Sequence, residues 1–507
     1  MSARVAGLRA QLTAPVDAAS LGVFRIAFGL ISAWEIWRTY DGNLIRVDYA
    51  TPEFLFKWWA FEWVGPAPGA WLFVAFAVTG VAALFVAAGL LYRTAAVVHF
   101  LGVAYWFLMD KATYLNHRYL TGLIALLLVF MPANAAYSVD AVRKPWVRSP
   151  VVPAWSVWLL RLQVGVPYFF AGVAKMNFDW LVRAEPLGTW LQAQTDFPFV
   201  GRFFAYGAVA HGMAIASTVF DVLTPFLLLN RRTRAVAFGF VLGFHFLNSR
   251  LFEIGMFPWL MIVATTIFFE PDWPRRMWHA LRAGRRGVVA AIGLGVLSGF
   301  IVGGFLPRSF SIVMAATGAF GVAVLAYHLL PERVRFCELP VHAARTPWRG
   351  LRLGRPTAIA LIGFAALQVL LPMRHWLIPG NVAWTGEGQR FAWQLLVRQE
   401  SGTARFRVSG PGSNAVGTLS IDDHLTSFQI AKMIVNPDLL VQFAQYLEAY
   451  YRSIGVTDDL EIRVEGEVSL NGRSRQPKID PDVDLTSIRR PYLPPAPWIV
   501  PLRPYED

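Results

Sequence analysis

The chain has 507 residues, of which 55% are hydrophobic and only 16% charged, with a mean hydropathy of +0.44. Soluble globular chains average about 25% charged residues, so this composition excludes an ordinary soluble domain and requires that much of its apolar surface face lipid. The net charge of +13 does not read as a nucleic-acid-binding face, because the arginines sit in short clusters between apolar runs, the pattern of cytoplasmic loops in membrane proteins.

At roughly 20 residues per span, about eleven runs are apolar and long enough to cross a bilayer. They cover 18–39, 70–91, 94–110, 118–132, 153–175, 206–229, 233–249, 254–269, 287–306, 309–330 and 357–377. The runs 118–132 and 254–269 are short and read as tilted, re-entrant or buried inside the bundle. No short apolar stretch with a small-residue cleavage site opens the chain, so no removable signal peptide is expected. Placing the N-terminus in the cytoplasm puts the clusters Arg231–Arg234, Arg275–Arg286 and Arg333–Arg355 inside, as the positive-inside rule demands. The C-terminal part then lies outside the cytoplasm. Cys337 is the single cysteine, which rules out an intramolecular disulfide and a cysteine metal cluster.

From about residue 381 the pattern changes. Ala404–Val408, Val416–Ile421 and Leu460–Val468 alternate like strands. Asn436–Ile454 reads as an amphipathic helix with an Asn-Pro-Asp start, and Pro491–Pro504 as an extended proline-rich tail. The expected fold is mainly α: a polytopic transmembrane bundle of about 9–11 spans over residues 1–380. A small extracytoplasmic α+β domain over 381–507 completes it.

Polar groups inside apolar runs mark chemistry in membrane proteins. Lys175, in Val166–Trp180 (VPYFFAGVAKMNFDW), lies near the outer end of its run. It is either a lysine snorkelling to the interface or a partly desolvated amine. Burial disfavours the charged form, so such an amine can act as a base. Asn116 and His117, in Tyr114–Tyr119 (YLNHRY), fall on the same side. They read as a polar loop or as a hydrogen-bonding pair that holds a substrate oxygen. His245 and Asn248, in Phe244–Arg250 (FHFLNSR), follow the same pattern; they pack helices or face a substrate. HExxH, P-loop and GxSxG patterns are absent, and nothing in the sequence indicates a metal. Gly293, Gly295 and Gly299 fit close helix packing better than a nucleotide site.

Several segments, in order, resemble the vitamin K-dependent γ-glutamyl carboxylase family, whose membrane domain is shared with bacterial-type homologues. They are 17–30 (DAASLGVFRIAFGL), 110–140 with Asn116-His117, 168–180 (YFFAGVAKMNFDW), 244–258 and 269–276 (FEPDWPRR). His375, Trp384-Thr385-Gly386, Trp393 and 469–484 (SLNGRSRQPKIDPDVD) continue the likeness. The resemblance implies an enzyme that uses reduced vitamin K (phylloquinol or menaquinol), dioxygen and carbon dioxide. Such an enzyme carboxylates protein glutamate and releases the vitamin K epoxide. It maps the family's base onto Lys175 and its Asn-His pair onto Asn116 and His117. It points to His245, Asn248, Trp384, Trp393 and His375 as substrate- or quinone-binding residues. The implied partners are the bilayer and a glutamate-containing peptide, with no nucleic acid and no metal, in a bacterial cytoplasmic membrane with the site facing away from the cytoplasm. Three departures stand out. The runs 287–306 and 309–330 look like an additional pair, the loop 331–356 does not resemble the segment that grips propeptides, and Gln389 stands where tyrosine is expected. Two other readings remain: quinol oxidation without carboxylation, and a non-enzymatic membrane protein.

Overall fold

The computed structural model describes residues 7, 10–252, 254–304, 311–335, 354–410, 417–418, 421–456, 459–490 and 494–505. A strand β1 (Pro15–Asp17) opens the chain and pairs antiparallel with β2 (Val151–Pro153), with Val16 opposite Val152. The bundle helices are α1 (Ala19–Asp41), α2 (Ala70–Ala88), α3 (Tyr92–Met109), α4 (Asn116–Phe130), α5 (Ala154–Ala174), α6 (Gly207–Leu229), α7 (Arg234–Leu251) and α8 (Phe257–Thr265). They continue with α9 (Trp273–Arg282), α10 (Arg286–Gly304), α11 (Ser311–Leu329) and α12 (Arg355–Met373).

Each of the eleven apolar runs contains a helix among the described residues. Among the described residues, however, six helices are long and apolar enough to cross a membrane, or seven if α9 and α10, bent by 109°, form one broken span. The expected nine to eleven spans are therefore not all of one kind. Helices α3, α4 and α7 carry Arg93 and His99, Asn116 to Arg118, and Arg234, His245 and Arg250, which lower their hydropathy. Helix α8 has nine residues, too few to cross at 1.5 Å per residue. It is the buried centre of the bundle: every residue from Pro258 to Phe269 is buried. Helices α10 and α11 pack closely, because Cβ atoms at Gly295 and Gly299 would stand 2.5 Å and 2.8 Å from α11 carbonyl oxygens. Gly293 makes no such approach. Cys337 and most of the loop 331–356 lie outside the described residues.

The C-terminal domain holds α13 (Ser427–Ile434), α14 (Pro437–Ser453) and two small antiparallel sheets. One sheet pairs β3 (Glu400–Gly402), β7 (Glu467–Leu470) and β8 (Gln476–Pro477); the other pairs β5 (Gly417–Thr418), β4 (Arg405–Ser409) and β6 (Glu461–Glu465). The expected strand Leu460–Val468 is thus two strands in different sheets, broken at Gly466. A Cβ at Gly466 would stand 2.0 Å from the Thr403 carbonyl oxygen. Helix α14 starts where the Asn-Pro-Asp signal places it, with Asn436 as the cap residue and Pro437 in the first turn.

Two groups of contacts, among others, fix this domain to the bundle. On one side Phe56 and Ala112 of the bundle enter its hydrophobic core. There Lys111 pairs with Asp438 at 2.7 Å, Gln429 donates to Asp110 at 3.1 Å, and Gln442 accepts from the Lys57 amide at 2.8 Å. On the other side Arg473 forms an ion pair with Asp179, and Asn471 donates to the same carboxylate at 3.0 Å. Asp179 follows Lys175 by four residues, across the break that ends α5, so the domain roofs the end of the bundle that carries the candidate site.

Candidate active site

Lys175 is the C-cap residue of α5 and is buried. Its Nζ forms an ion pair with Asp221 of α6, whose carboxylate is buried as well. A lone charge at this depth is costly; a pair of opposite charges in contact is tolerable. The meeting depends on Gly172, one turn before the lysine. A Cβ there would stand 2.7 Å from the Val222 amide nitrogen, so only glycine lets α6 approach closely enough to bring Asp221 to Nζ. Trp180 and Phe244 place their rings 5.4 Å and 5.9 Å from Nζ, within the range at which an aromatic face attracts a cation.

Lys175 and Asp221 line a cavity of about 730 Å³ together with Asn116, His117, Tyr168, His245 and Asn248. His117 lies in the first turn of α4, where the helix begins at Asn116. Tyr114 donates to the Asn116 side-chain oxygen at 3.0 Å and accepts from the Phe391 amide at 2.9 Å. Arg38, held by Glu35 through contacts of 2.9 Å and 2.7 Å, is a further wall of the cavity. His245 and Tyr168 share a hydrogen bond of 2.6 Å between Nε2 and the phenolic oxygen. The buried His117 Nε2 and His245 Nδ1 have no hydrogen-bond partner among the described residues.

A second cavity of about 670 Å³, almost wholly apolar, adjoins the first. Lys175, Phe244, Asn248 and Leu396 line both. It runs between α6 and α7, past Leu223 and Phe240, whose outer faces are exposed. It therefore opens from the polar chamber toward the surface where lipid would lie.

The C-terminal domain contributes Leu395, Leu396 and Phe428 to the polar cavity. Leu396, Trp393 and Phe391 have φ of +53°, +56° and +65°. Three large residues in the left-handed region within six positions are a strained stretch of backbone, and such strain concentrates at functional sites.

The sequence-based candidates separate cleanly. Lys175, Asn116, His117, His245 and Asn248 come together around one cavity. Trp384, Trp393 and His375 do not line it. Trp384 is buried in the C-terminal domain and donates to the Val500 carbonyl at 2.7 Å. Trp393 is buried against Tyr119, with ring centroids 5.1 Å apart. His375 is half-buried, with Nδ1 2.7 Å from the Pro372 carbonyl oxygen. Sequence reasoning missed Asp221 and Tyr168. Asp221 carried a usable signal, being the one carboxylate in the apolar run 206–229. Attention to the outer ends of the runs passed over it.

The polar cavity is lined by an amine, a carboxylate and two imidazole side chains, and an almost wholly apolar cavity adjoins it. Residues 13–273, just over half of the chain, match the family model described as the HTTM domain. Residues 354–504 match the vitamin K-dependent gamma-carboxylase, lumenal domain. Helices α10 and α11 fall between the two matches. No solved structure matches the chain. With both halves matched in order, and with the amine, the Asn-His pair and the roofing domain around one cavity, this membrane protein belongs to the vitamin K-dependent γ-glutamyl carboxylase family.

Proposed function

We propose that this chain is a vitamin K hydroquinone-dependent carboxylase that couples quinol epoxidation to γ-carboxylation of glutamyl residues, with Lys175 as the initiating base. The observation that carries this reading is the shared cavity: Lys175, paired with Asp221, faces the same space as Asn116, His117 and His245. Bound reduced vitamin K supplies, with dioxygen, a base strong enough to take a glutamyl γ-proton, after which carbon dioxide adds to that carbon and the epoxide is released.

The chain's own residues have four tasks. Lys175 Nζ takes the hydroxyl proton of the bound hydroquinone. It is free to do so when the proton it shares with Asp221 resides on the carboxylate, an arrangement with the same net charge as the ion pair. The positive charge the pair gains then sits beside the oxygen anion it has generated and stabilises it. His117 and Asn116 hold the opposite end of the ring system. His245, a wall of the cavity, is oriented by Tyr168 through its Nε2. The roof formed by Leu395, Leu396 and Phe428 excludes water, which would otherwise reprotonate the glutamyl carbanion. The apolar cavity between α6 and α7 takes the isoprenoid tail. By the arginine distribution the site faces away from the cytoplasm, in a bacterial cytoplasmic membrane.

The test supplies purified protein with reduced vitamin K, oxygen, labelled bicarbonate and a glutamyl peptide. Epoxide together with labelled peptide is expected. Epoxide with unlabelled peptide would favour the second reading, quinol oxidation without carboxylation, to which Gln389 points because tyrosine is expected there. Neither product, from protein that remains folded, would overturn both.

A further inference from the structure

Behind one wall of the reaction cavity lies a third, much smaller chamber of about 20 Å³, between α1, α3 and α4. His117 and Arg118 line both this chamber and the reaction cavity. Helical spacing brings its other walls together. Ser32 and Glu35 stand three residues apart on α1, and His99 and Trp106 seven apart on α3, so each pair shares one face of its helix.

Several polar groups on these walls are already engaged. Glu35 accepts from Arg38 at 2.9 Å and 2.7 Å, and the Thr121 hydroxyl donates to the His117 carbonyl at 2.9 Å. Arg118 Nη1 donates to the Tyr49 hydroxyl at 3.0 Å and to the Thr113 carbonyl at 3.2 Å, and its guanidinium lies 4.3 Å from the Trp106 ring. Ser32 Oγ, His99 Nε2, His117 Nε2 and Arg118 Nε are buried and have no hydrogen-bond partner among the described residues. All four side chains are at least nine-tenths buried. Such atoms are costly unless bonded, and four of them around one chamber point to a shared partner. A water needs roughly 10–15 Å³ and about two to four polar neighbours, which this chamber offers. The four atoms are also complementary. His99 Nδ1 lies 3.4 Å from the Thr79 carbonyl oxygen. That oxygen only accepts, so Nδ1 carries the proton and Nε2 is an acceptor. Arg118 Nε only donates, while Ser32 and His117 can do either. Gly102 sets up this arrangement. A Cβ there would stand 2.1 Å from Thr79 Oγ1, so glycine lets α2 lie close enough to α3 to bring the Thr79 carbonyl to His99.

We propose that these four atoms bind one buried water, and that through it His99 is a positioning residue for His117. The water stands on the geometry alone; its consequence for turnover rests on the carboxylase reading above. An imidazole turns broadly about χ2 when nothing holds its nitrogens. A hydrogen bond at one nitrogen fixes the ring and decides which nitrogen carries the proton. The other nitrogen is then in one defined state toward a substrate oxygen.

The test begins with a density map of the intact protein in lipid nanodiscs, at a resolution that shows buried waters. A peak within hydrogen-bonding distance of Ser32 Oγ, His99 Nε2, His117 Nε2 and Arg118 Nε is expected. His99→Phe keeps a ring of similar size and removes the acceptor; the peak should vanish and the His117 ring should lose its single orientation. His99→Gln places an amide where Nε2 stood and should keep both. An empty chamber in a wild-type map that shows other buried waters would overturn the proposal, as would an unchanged His117 ring in His99→Phe. Turnover gives an independent reading. Per folded molecule, His99→Phe should lower kcat for epoxidation about tenfold with little change in the quinol KM, and His99→Gln should keep most of the wild-type rate. In a His117→Ala background His99→Phe should cost nothing further, because its effect passes through His117. A tenfold loss in both backgrounds would show that His99 merely supports the fold and would overturn the positioning role. Failure of the carboxylase reading looks different: wild type then makes no epoxide, while the water peak and the His117 orientation still depend on His99.

Discussion

Two lysines are buried among the described residues, one in each region, and they differ in what surrounds them. Lys478, in the C-terminal domain, pairs with Glu400 at 2.6 Å, donates to the Val435 carbonyl at 2.7 Å and sits 4.8 Å above the Trp384 ring. Two of its donors are occupied, its charge faces the ring, and it lines neither of the two cavities at Lys175. Lys175, in the bundle, makes one hydrogen bond, to Asp221, and opens onto two cavities. A lysine has three donors. The first lysine uses them to hold a fold together, and the second keeps some of its capacity facing open space. Burial alone therefore does not distinguish the two lysines; unspent donors beside a cavity do, and they support the base proposed at Lys175.

Replacing each lysine breaks this comparison in opposite directions. Lys175→Ala should remove both epoxide and carboxylated product, a loss of about 10³-fold or more, as expected for deletion of a general base. Product formation at the wild-type rate would refute its role. Because the change leaves Asp221 without its partner, the double variant with Asp221→Asn should recover stability and not activity. The readouts are quinol epoxidation and thermal melting, measured on the same samples. Lys478→Met should do the reverse. It leaves Glu400 with Arg398 at 3.1 Å as its remaining ion-pair partner, so a loss of about 3 kcal/mol is expected, at the low end for breaking a buried pair. Turnover per folded molecule should not change.

How much of this was legible beforehand follows the same division. The helices were readable because lipid demands long apolar runs, and each of the eleven runs contains a helix. Some of the polar residues around the cavity were readable for the same reason, since Lys175 and His245 fall within such runs and His117 directly precedes one. Asp221 interrupts one too, but its partner lies 46 residues away in sequence, and nothing local joins the two. Trp384, Trp393 and His375 came from the resemblance alone. A resemblance names a residue without giving its place, and these three support the roof instead of lining the cavity. The C-terminal strands were only partly readable because they are two to five residues long, too short for alternation to fix their ends.

Gly172 tests whether the geometry of the Lys175 pair matters as much as its chemistry. Gly172→Val would force Cβ against the Val222 amide and side chain, at 2.7 Å and 2.6 Å, and would push α6 away from α5. An error of about 1 Å in a catalytic group costs about 10²-fold in rate, so epoxidation should fall by about that much with Lys175 and Asp221 both present. Gly165→Ala is the control. Its Cβ would meet the Pro225 side chain at 3.2 Å and the Phe268 ring at 4.0 Å, with no backbone atom in the way, and a much smaller loss is expected.

The smallest effect belongs to the clamp that holds the roof. Burial would raise the Asp438 carboxyl, but Lys111, Arg390 and Arg490 outweigh it and bring it down to about 2 from an ordinary 3.8. A carboxylate whose folded value is depressed binds fewer protons in the folded state than in the unfolded one. Its contribution is thus complete above the ordinary value and is lost as pH falls through the folded one. The shift corresponds to about 2 kcal/mol of stability, present at neutral pH and lost between about pH 4 and pH 2. Lys111 belongs to the bundle and Asp438 to the C-terminal domain, so this loss should loosen the roof before it unfolds the helices. Protease susceptibility of residues 381–505 should rise over that acid window while helical content by circular dichroism stays constant. Asp438→Asn should already be susceptible at neutral pH and should lack the step. A step of unchanged size in that variant would assign the acid response to other carboxylates and leave the Lys111 clamp without a role in holding the roof.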